Sequence, residues 1–308
     1  MISEQFLNTL QALNPVITES ADGNTIIEHF GDVNVELAAL ESSAVVCPVA
    51  GMLRICVTGK DRAKYLHNFC TNNISNLAPG HVCEAIFTDV KAKIIAHGLI
   101  MATDECHEIW TLIGDGQPLI NHLNRYIITE DVTIESLSHE SSHFAVAGPQ
   151  AGSILHSSGF AADAGITAGT CSLSAAVTVI HADWNETPTA FLATTNPNDV
   201  WSKLLDAGAV PGGNIVFEHH RIMEGFPIVG VDVSSDNLAP EADRIVQAIS
   251  YTKGCYLGQE PIARIDAIGH VNRKLFRCYT TPTPDVEDAA DLPSISSQSK
   301  AIPNRFPA

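Results

Sequence analysis

The chain has 308 residues, 35 of them acidic and 17 basic, for a formal net charge of −18. That balance repels nucleic acid and anionic membrane, which speaks against direct binding of either. The hydrophobic fraction is 45% with no apolar run of spanning length or basic-then-apolar leader, and the eight cysteines include no C-x-x-C pair; the expectation is a cytoplasmic chain of two or three domains with reduced thiols.

In chain order, residues 3–13 read as an amphipathic helix with Phe6, Leu10 and Leu13 on one face and Ser3 placed to cap it. Residues 53–57 read as a strand and 61–69 as a helix opening on an acidic residue. Three strands follow at 83–88, 94–101 and 107–113, then a helix at 118–127 and an extended stretch at 132–137. Strands at 144–147 and 191–195 flank an alanine-rich middle and belong to a second sheet, with helices at 198–206 and 217–224 beyond. Runs of strands with interspersed helices place the fold in the α+β class. There is no internal repeat, no GxGxxG after a strand and no P-loop, so a dinucleotide or nucleoside triphosphate site has no support.

The densest chemistry lies in Lys253-Gly254-Cys255-Tyr256-Leu257-Gly258-Gln259-Glu260. Pro261 suits a first helical turn, Glu260 reads as the boundary, and Ile262, Ile265 and Ile268 recur at helical spacing, so a short buried helix is expected over 261–268. Cys255 then sits in a glycine-flexible loop near a helix N-terminus and a cation, both of which favour thiolate over an ordinary thiol of pKa ~8.5. A buried, inert cysteine is the equally weighted alternative. Lys253, Arg264, Arg273, Lys274 and Arg277 concentrate positive charge around this segment, and Arg54, Lys60, Arg62 and Lys64 form a second group. Such an excess suits a small anionic ligand, against the plainer reading of solvated helix faces. Glu224 is expected to end a helix, because Gly225 suits the left-handed C′ position and Pro227 follows.

Other patterns carry less. His139-Glu140-Ser141-Ser142-His143 matches HExxH, but its serine-rich setting reads as a turn, not a zinc-binding helix, and no metal site is expected. The adjacent His219 and His220 cannot share a helix face. Trp110, Trp184 and Trp201 read as core or rim aromatics, and Cys56, Cys70 and Cys83 as small core residues.

The 253–260 segment, with Ala263-Arg264 and Gly269-His270-Val271-Asn272-Arg273 after it, resembles the signature of the YgfZ-type folate-binding proteins, relatives of the glycine cleavage T-protein. Ile55-Cys56-Val57-Thr58-Gly59-Lys60-Asp61-Arg62 and Leu66-His67-Asn68-Phe69-Cys70-Thr71-Asn72 resemble that superfamily's amino-terminal block. Arg221-Ile222-Met223-Glu224-Gly225-Phe226-Pro227, with Gly230-Val231-Asp232 and Pro240-Glu241, resembles its middle block, so the likeness runs over residues 45–280. The resemblance implies an α+β, multi-lobed ring with two interleaved lobes: 1–45 plus 141–235, and 46–140 plus 236–270. In place of a carboxyl-terminal β-barrel, 271–308 is expected to hold a short strand at 275–279 and an extended or disordered tail.

The resemblance also implies tetrahydrofolate as cofactor, held in a cavity between the lobes. Glu224 would orient the pterin, with Gln259, Glu260, Arg264 and Arg221 as further folate contacts. Cys255 would supply a reactive thiol and Lys253 would lower its pKa. The implied role is an accessory protein supporting iron–sulfur enzyme assembly or repair, partnered by assembly or client proteins. Relatives are also linked to tRNA modification, although the charge disfavours direct RNA contact. Catalytic T-proteins carry an Asp-Asp pair where this chain has Ala96-His97, which argues against the alternative of an aminomethyltransferase. A folate-free scaffold is the other alternative.

Overall fold

The computed structural model describes residues 2–20, 23–112, 116–137, 141–174, 176–182, 184 and 187–278. The first third of the chain forms α1 (Glu4–Gln11), β1 (Val16–Glu19), β2 (Thr25–His29), α2 (Val33–Ser42), β3 (Val45–Pro48), β4 (Leu53–Thr58), α3 (Arg62–His67), β5 (Val82–Thr88) and β6 (Ile94–Ala102). The middle adds β7 (His107–Thr111), α4 (Gln117–Asn124), β8 (Thr133–Ser136), β9 (Ser142–Ala147), α5 (Ala151–Ser157), β10 (Thr170–Leu173), β11 (Val177–Ala182) and β12 (Thr189–Thr194). After it come α6 (Pro197–Asp206), β13 (Val210–Pro211), α7 (Asn214–Met223), a 3₁₀ turn (Ala239–Ala242), α8 (Ile245–Ala248) and α9 (Gln259–Ile268).

Beyond the β1–β2 hairpin there are two main sheets among the described residues, ordered β10-β11-β12-β9-β3-β13 and β5-β6-β7-β4-β8. Every pairing in them is antiparallel except the short β13–β3 contact. The sheets share one core: Leu99, Met101 and Trp110 of the five-stranded sheet pack with Ala145, Ile180 and Phe191 of the six-stranded one. On the outer face of the larger sheet lie Phe6, Leu10, Ile154, Leu155 and Trp201 from α1, α5 and α6; α3 and α4 cover the other sheet with Tyr65, Leu66, Leu119 and Leu123. Helices on one face and a second sheet on the other explain why β9 and β12 are buried along their whole length. The architecture is α+β, and no closed barrel occurs among the described residues.

Local chemistry sets the ends of these elements. Ser3 caps α1 by accepting from the Phe6 N–H at 3.3 Å, and Asp32 caps α2 by accepting from Asn34 at 2.9 Å. The expected helix at 261–268 starts two residues early, because Gly258 turns the chain in a left-handed conformation (φ 84°). Pro261 is then the third helical residue, still within the turn whose N–H groups have no partner. Nor is α9 a buried helix: Ile262 is fully buried, whereas Ile268 is 57% exposed. Residues 275–278 form no strand; the Leu275 N–H bonds the Glu241 carbonyl at 2.9 Å instead. Residues 279–308, which hold Tyr279 and the expected tail, lie outside the described residues. No helix among the described residues is long and apolar enough to cross a membrane.

Candidate functional site

Glu224 closes α7: its N–H bonds the His220 carbonyl at 2.9 Å, and Gly225 follows at φ 67°, a conformation glycine adopts without cost. The side chain is buried, and its Oε1 accepts from the Thr187 N–H at 3.0 Å. It lines a cavity of about 300 Å³ with Gly225, Asp243, Arg244, Leu275, Phe276 and Arg277. At one wall the Arg277 guanidinium donates to the Met223 carbonyl, and Lys274 pairs with Asp243 at 2.8 Å.

Beneath this cavity runs a buried ionic network that the sequence reading did not pick out. Arg244 donates to the Glu224 carbonyl at 3.1 Å and grips Glu84 with two bonds, Nε to Oε1 at 2.7 Å and Nη2 to Oε2 at 2.6 Å. His97 stands 2.9 Å from Glu84 through Nε2 and 2.9 Å from the Pro227 carbonyl through Nδ1, with its ring on Phe226. Burial alone would raise the Glu84 carboxyl; the bonds from Arg244 and His97 outweigh it and hold the group below the usual carboxylate range. Register explains the meeting: Ile86 faces His97, so Glu84 lies one pleat along on the same sheet face. A carboxylate thus stands beside His97 from the neighbouring strand, but it is locked in an ion pair. An acidic residue inside the apolar run of β5 was the signal available for Glu84; Arg244 had none.

The cysteine segment lies elsewhere. Lys253 is buried and its Nζ donates to three carbonyls, of His67 at 2.6 Å, Cys70 at 2.7 Å and Asn72 at 2.8 Å, while lying 4.7 Å over the Tyr256 ring. The ammonium thus caps the carboxyl end of α3, where unpaired carbonyls and the helix dipole favour a cation. Burial lowers the Lys253 pKa. The Cys255 thiol is exposed and lines an open cavity of about 460 Å³ with Asn68, Phe69, Tyr126, Tyr256 and Leu257. The buried, inert alternative is not what the structure shows. Gly258 is required here: a Cβ would meet the Asp89 carbonyl oxygen at 2.5 Å and Thr88 Oγ1 at 2.6 Å.

The cavities at Glu224 and Cys255 have no lining residue in common. Lys253 acts as the anchor of the cysteine loop, its charge taken up by carbonyls. Arg221 is spent inside the fold, on Glu218 at 3.0 and 2.6 Å, Asp232 at 2.6 Å and the Phe226 carbonyl at 2.8 Å. Gln259, Glu260 and Arg264 lie on α9 and line neither cavity. Of the second basic group, Arg54 is paired with Glu108 at 2.7 Å. His139 and Glu140 of the HExxH match lie outside the described residues; His143 is buried on β9, and burial pushes its pKa down to about 3.

Residues 10–171 match the GCVT N-terminal domain family. A putative chloroplastic transferase of Arabidopsis thaliana is 30% identical over 294 residues, which cover 89% of this chain and 64% of that relative. The chain therefore spans less than two thirds of that protein's length. The tRNA-modifying protein YgfZ of Colwellia psychrerythraea is 24% identical over 72% of this chain and 67% of its own. Among solved structures, the glycine cleavage system aminomethyltransferase T of Bartonella henselae superposes with a TM-score of 0.76 at 16% identity, over 86% of this chain and 74% of that one. At that identity the likeness carries the fold alone.

Proposed function

The chain belongs to the GCVT N-terminal domain family, as a YgfZ-type member of the T-protein superfamily, and from that premise we propose that it is a tetrahydrofolate-binding accessory protein. The observation that carries the reading is Glu224, which lines a cavity of about 300 Å³ and whose carboxylate accepts from the Thr187 N–H. A carboxylate accepts the paired ring N–H and amino hydrogens of a pterin side by side, which orients a flat heterocycle. The bond from Thr187 is compatible with this, since each carboxylate oxygen accepts more than once. Arg277, at the same cavity, suits the glutamate tail. These residues fit the cofactor, which when bound would supply a one-carbon carrier. Gln259, Glu260 and Arg264 enter this reading only as contacts of a more distant part of the ligand, and Arg221 only as support for the turn at Phe226.

Transfer of an aminomethyl group is disfavoured. Ala96 and His97 replace the acidic pair of the catalytic relatives, and the carboxylate beside His97, Glu84, is held by two nitrogens of the Arg244 guanidinium. Support of iron–sulfur enzymes, through assembly or client proteins, and the use of Cys255 as a reactive thiol rest on family membership and on the thiol's exposure. In this reading the lobes are 1–45 plus 141–235 and 46–140 plus 236–270, followed by 271–308.

The test is a tetrahydrofolate titration followed by tryptophan fluorescence. Saturable quenching is expected, with Glu224→Ala weakening it about ten- to a hundredfold, the range of a lost charge-assisted hydrogen bond. A flat titration up to millimolar ligand, on protein with an unchanged melting curve, would favour the scaffold.

A further inference from the structure

The turn that carries Glu224 is tied down more firmly than the end of a helix requires. Three of the four carbonyls in Glu224-Gly225-Phe226-Pro227 accept from basic side chains, which come from separate parts of the chain. Arg244, just ahead of α8, donates through Nη1 to the Glu224 carbonyl at 3.1 Å, and Arg221 of α7 donates through Nη1 to the Phe226 carbonyl at 2.8 Å. His97 of β6 stands 2.9 Å from the Pro227 carbonyl; a carbonyl only accepts, so the hydrogen of this bond sits on Nδ1. On the amide side, the Phe226 N–H bonds the Arg221 carbonyl at 3.1 Å and the Ile228 N–H bonds Asp232 Oδ2 at 2.8 Å.

Each of the three basic groups is anchored in turn. Glu84 takes two bonds from Arg244 and one contact from His97, while Glu218 and Asp232 take Arg221. Glu84, His97, Arg221 and Arg244 are all buried. Ion pairs at such depth add little net stability, because the desolvation of the charges offsets most of their attraction. A helix end beside a cavity can also leave its carbonyls to water, and Glu224 and Gly225 both line one. What the cluster does supply is a fixed place for a turn that contains a left-handed glycine.

We propose that Arg244, His97 and Arg221 are positioning residues for Glu224. They set the turn, and with it the carboxylate, before a ligand arrives, so that binding does not have to order this wall of the cavity. Glu84, which is not among the cavity-lining residues, acts on the site through Arg244 and His97. The inference rests on the folate reading for the identity of the ligand; the fixed turn itself is a property of the free chain.

The test uses the full chain with Glu84→Gln and Arg244→Met together, which removes both charges and leaves neither buried alone. Without ligand, amide hydrogen exchange at Gly225, Phe226 and Ile228 should rise at least about tenfold, while the amides of β7 keep the wild-type rate. Tetrahydrofolate, followed by tryptophan fluorescence, should bind at least about tenfold more weakly than to wild type. Added to Glu224→Ala, the same two substitutions should weaken binding no further, because both changes act through one carboxylate. His97→Leu keeps the Glu84–Arg244 pair and should raise exchange over the same amides; it decides the matter where the paired variant does not fold. Wild-type exchange across 225–228 in these variants overturns the proposal. So do affinity losses that multiply in full with that of Glu224→Ala, which would make Arg244 a direct ligand contact. A flat titration of wild type removes the folate reading alone, and exchange in the free chain then decides whether the turn is held.

Discussion

Glu84 and Arg244 illustrate how a buried charge persists in an apolar sheet. Each is almost completely buried, yet the two pair through both arms of the guanidinium, and His97 and the Glu224 carbonyl take further bonding positions. Removing one partner leaves the other charged and desolvated, so Glu84→Gln is expected to cost about 3–5 kcal/mol in urea unfolding. The pH dependence has a definite sign. Because the folded-state pKa of Glu84 lies below its unfolded value, the stabilisation is complete above the ordinary carboxyl value of ~4.3 and is lost as pH falls through the folded value. Unfolding curves at pH 7 and pH 3 should therefore converge for wild type and Glu84→Gln on the acid side; an equal gap at both would remove Glu84 from this role. Glu224 was legible from its place before Gly225 and Pro227. Its support was not, since Glu84 and Arg244 are 160 positions apart and nothing in local spacing announces such a partnership.

The cysteine loop is positioned at the level of elements. Lys253 ties it to the end of α3 by three bonds, the Leu257 N–H bonds the Asn68 carbonyl at 2.9 Å, and Thr88 Oγ1 at the end of β5 donates to the Leu257 carbonyl at 2.8 Å. Lys253→Met should leave those carbonyls unpaired and raise amide hydrogen exchange across 253–258 before it affects the sheets. Gly258→Ala combines a left-handed backbone with a Cβ at 2.5 Å from a carbonyl oxygen, so a loss of about 2 kcal/mol or more in thermal unfolding is expected. A neutral Gly258→Ala would mean that the loop is free to move. Elements with a strong period were readable: α1, β5, β6, α6 and α7 lie within two or three residues of expectation. The short β1, β2, β3 and β13 are not, nor is α2, whose valines and alanines lack a clean apolar stripe. Residues 151–182 hold α5, β10 and β11 in a stretch rich in alanine, glycine and serine, where neither period stands out.

At the scale of the molecule, two sheets face each other over one core, with residues 229–275 laid across the end of β5 and β6. Tyr256 and Ile262 of that segment pack with Ile86 and Ile94, which is how a motif near residue 255 comes to lie beside the first block of the chain. Contact of this kind between distant segments leaves no trace in periodicity. The arrangement separates two chemistries, a carboxylate-lined cavity at Glu224 and an exposed thiol at Cys255. The first of these is the proposed seat of the pterin. A crystal structure of the full chain with tetrahydrofolate should show the pterin ring paired to the Glu224 carboxylate, with Arg277 turned toward the glutamate tail. A pterin seated instead against Tyr126 and Cys255, with the cavity at Glu224 closed to it, would overturn that assignment.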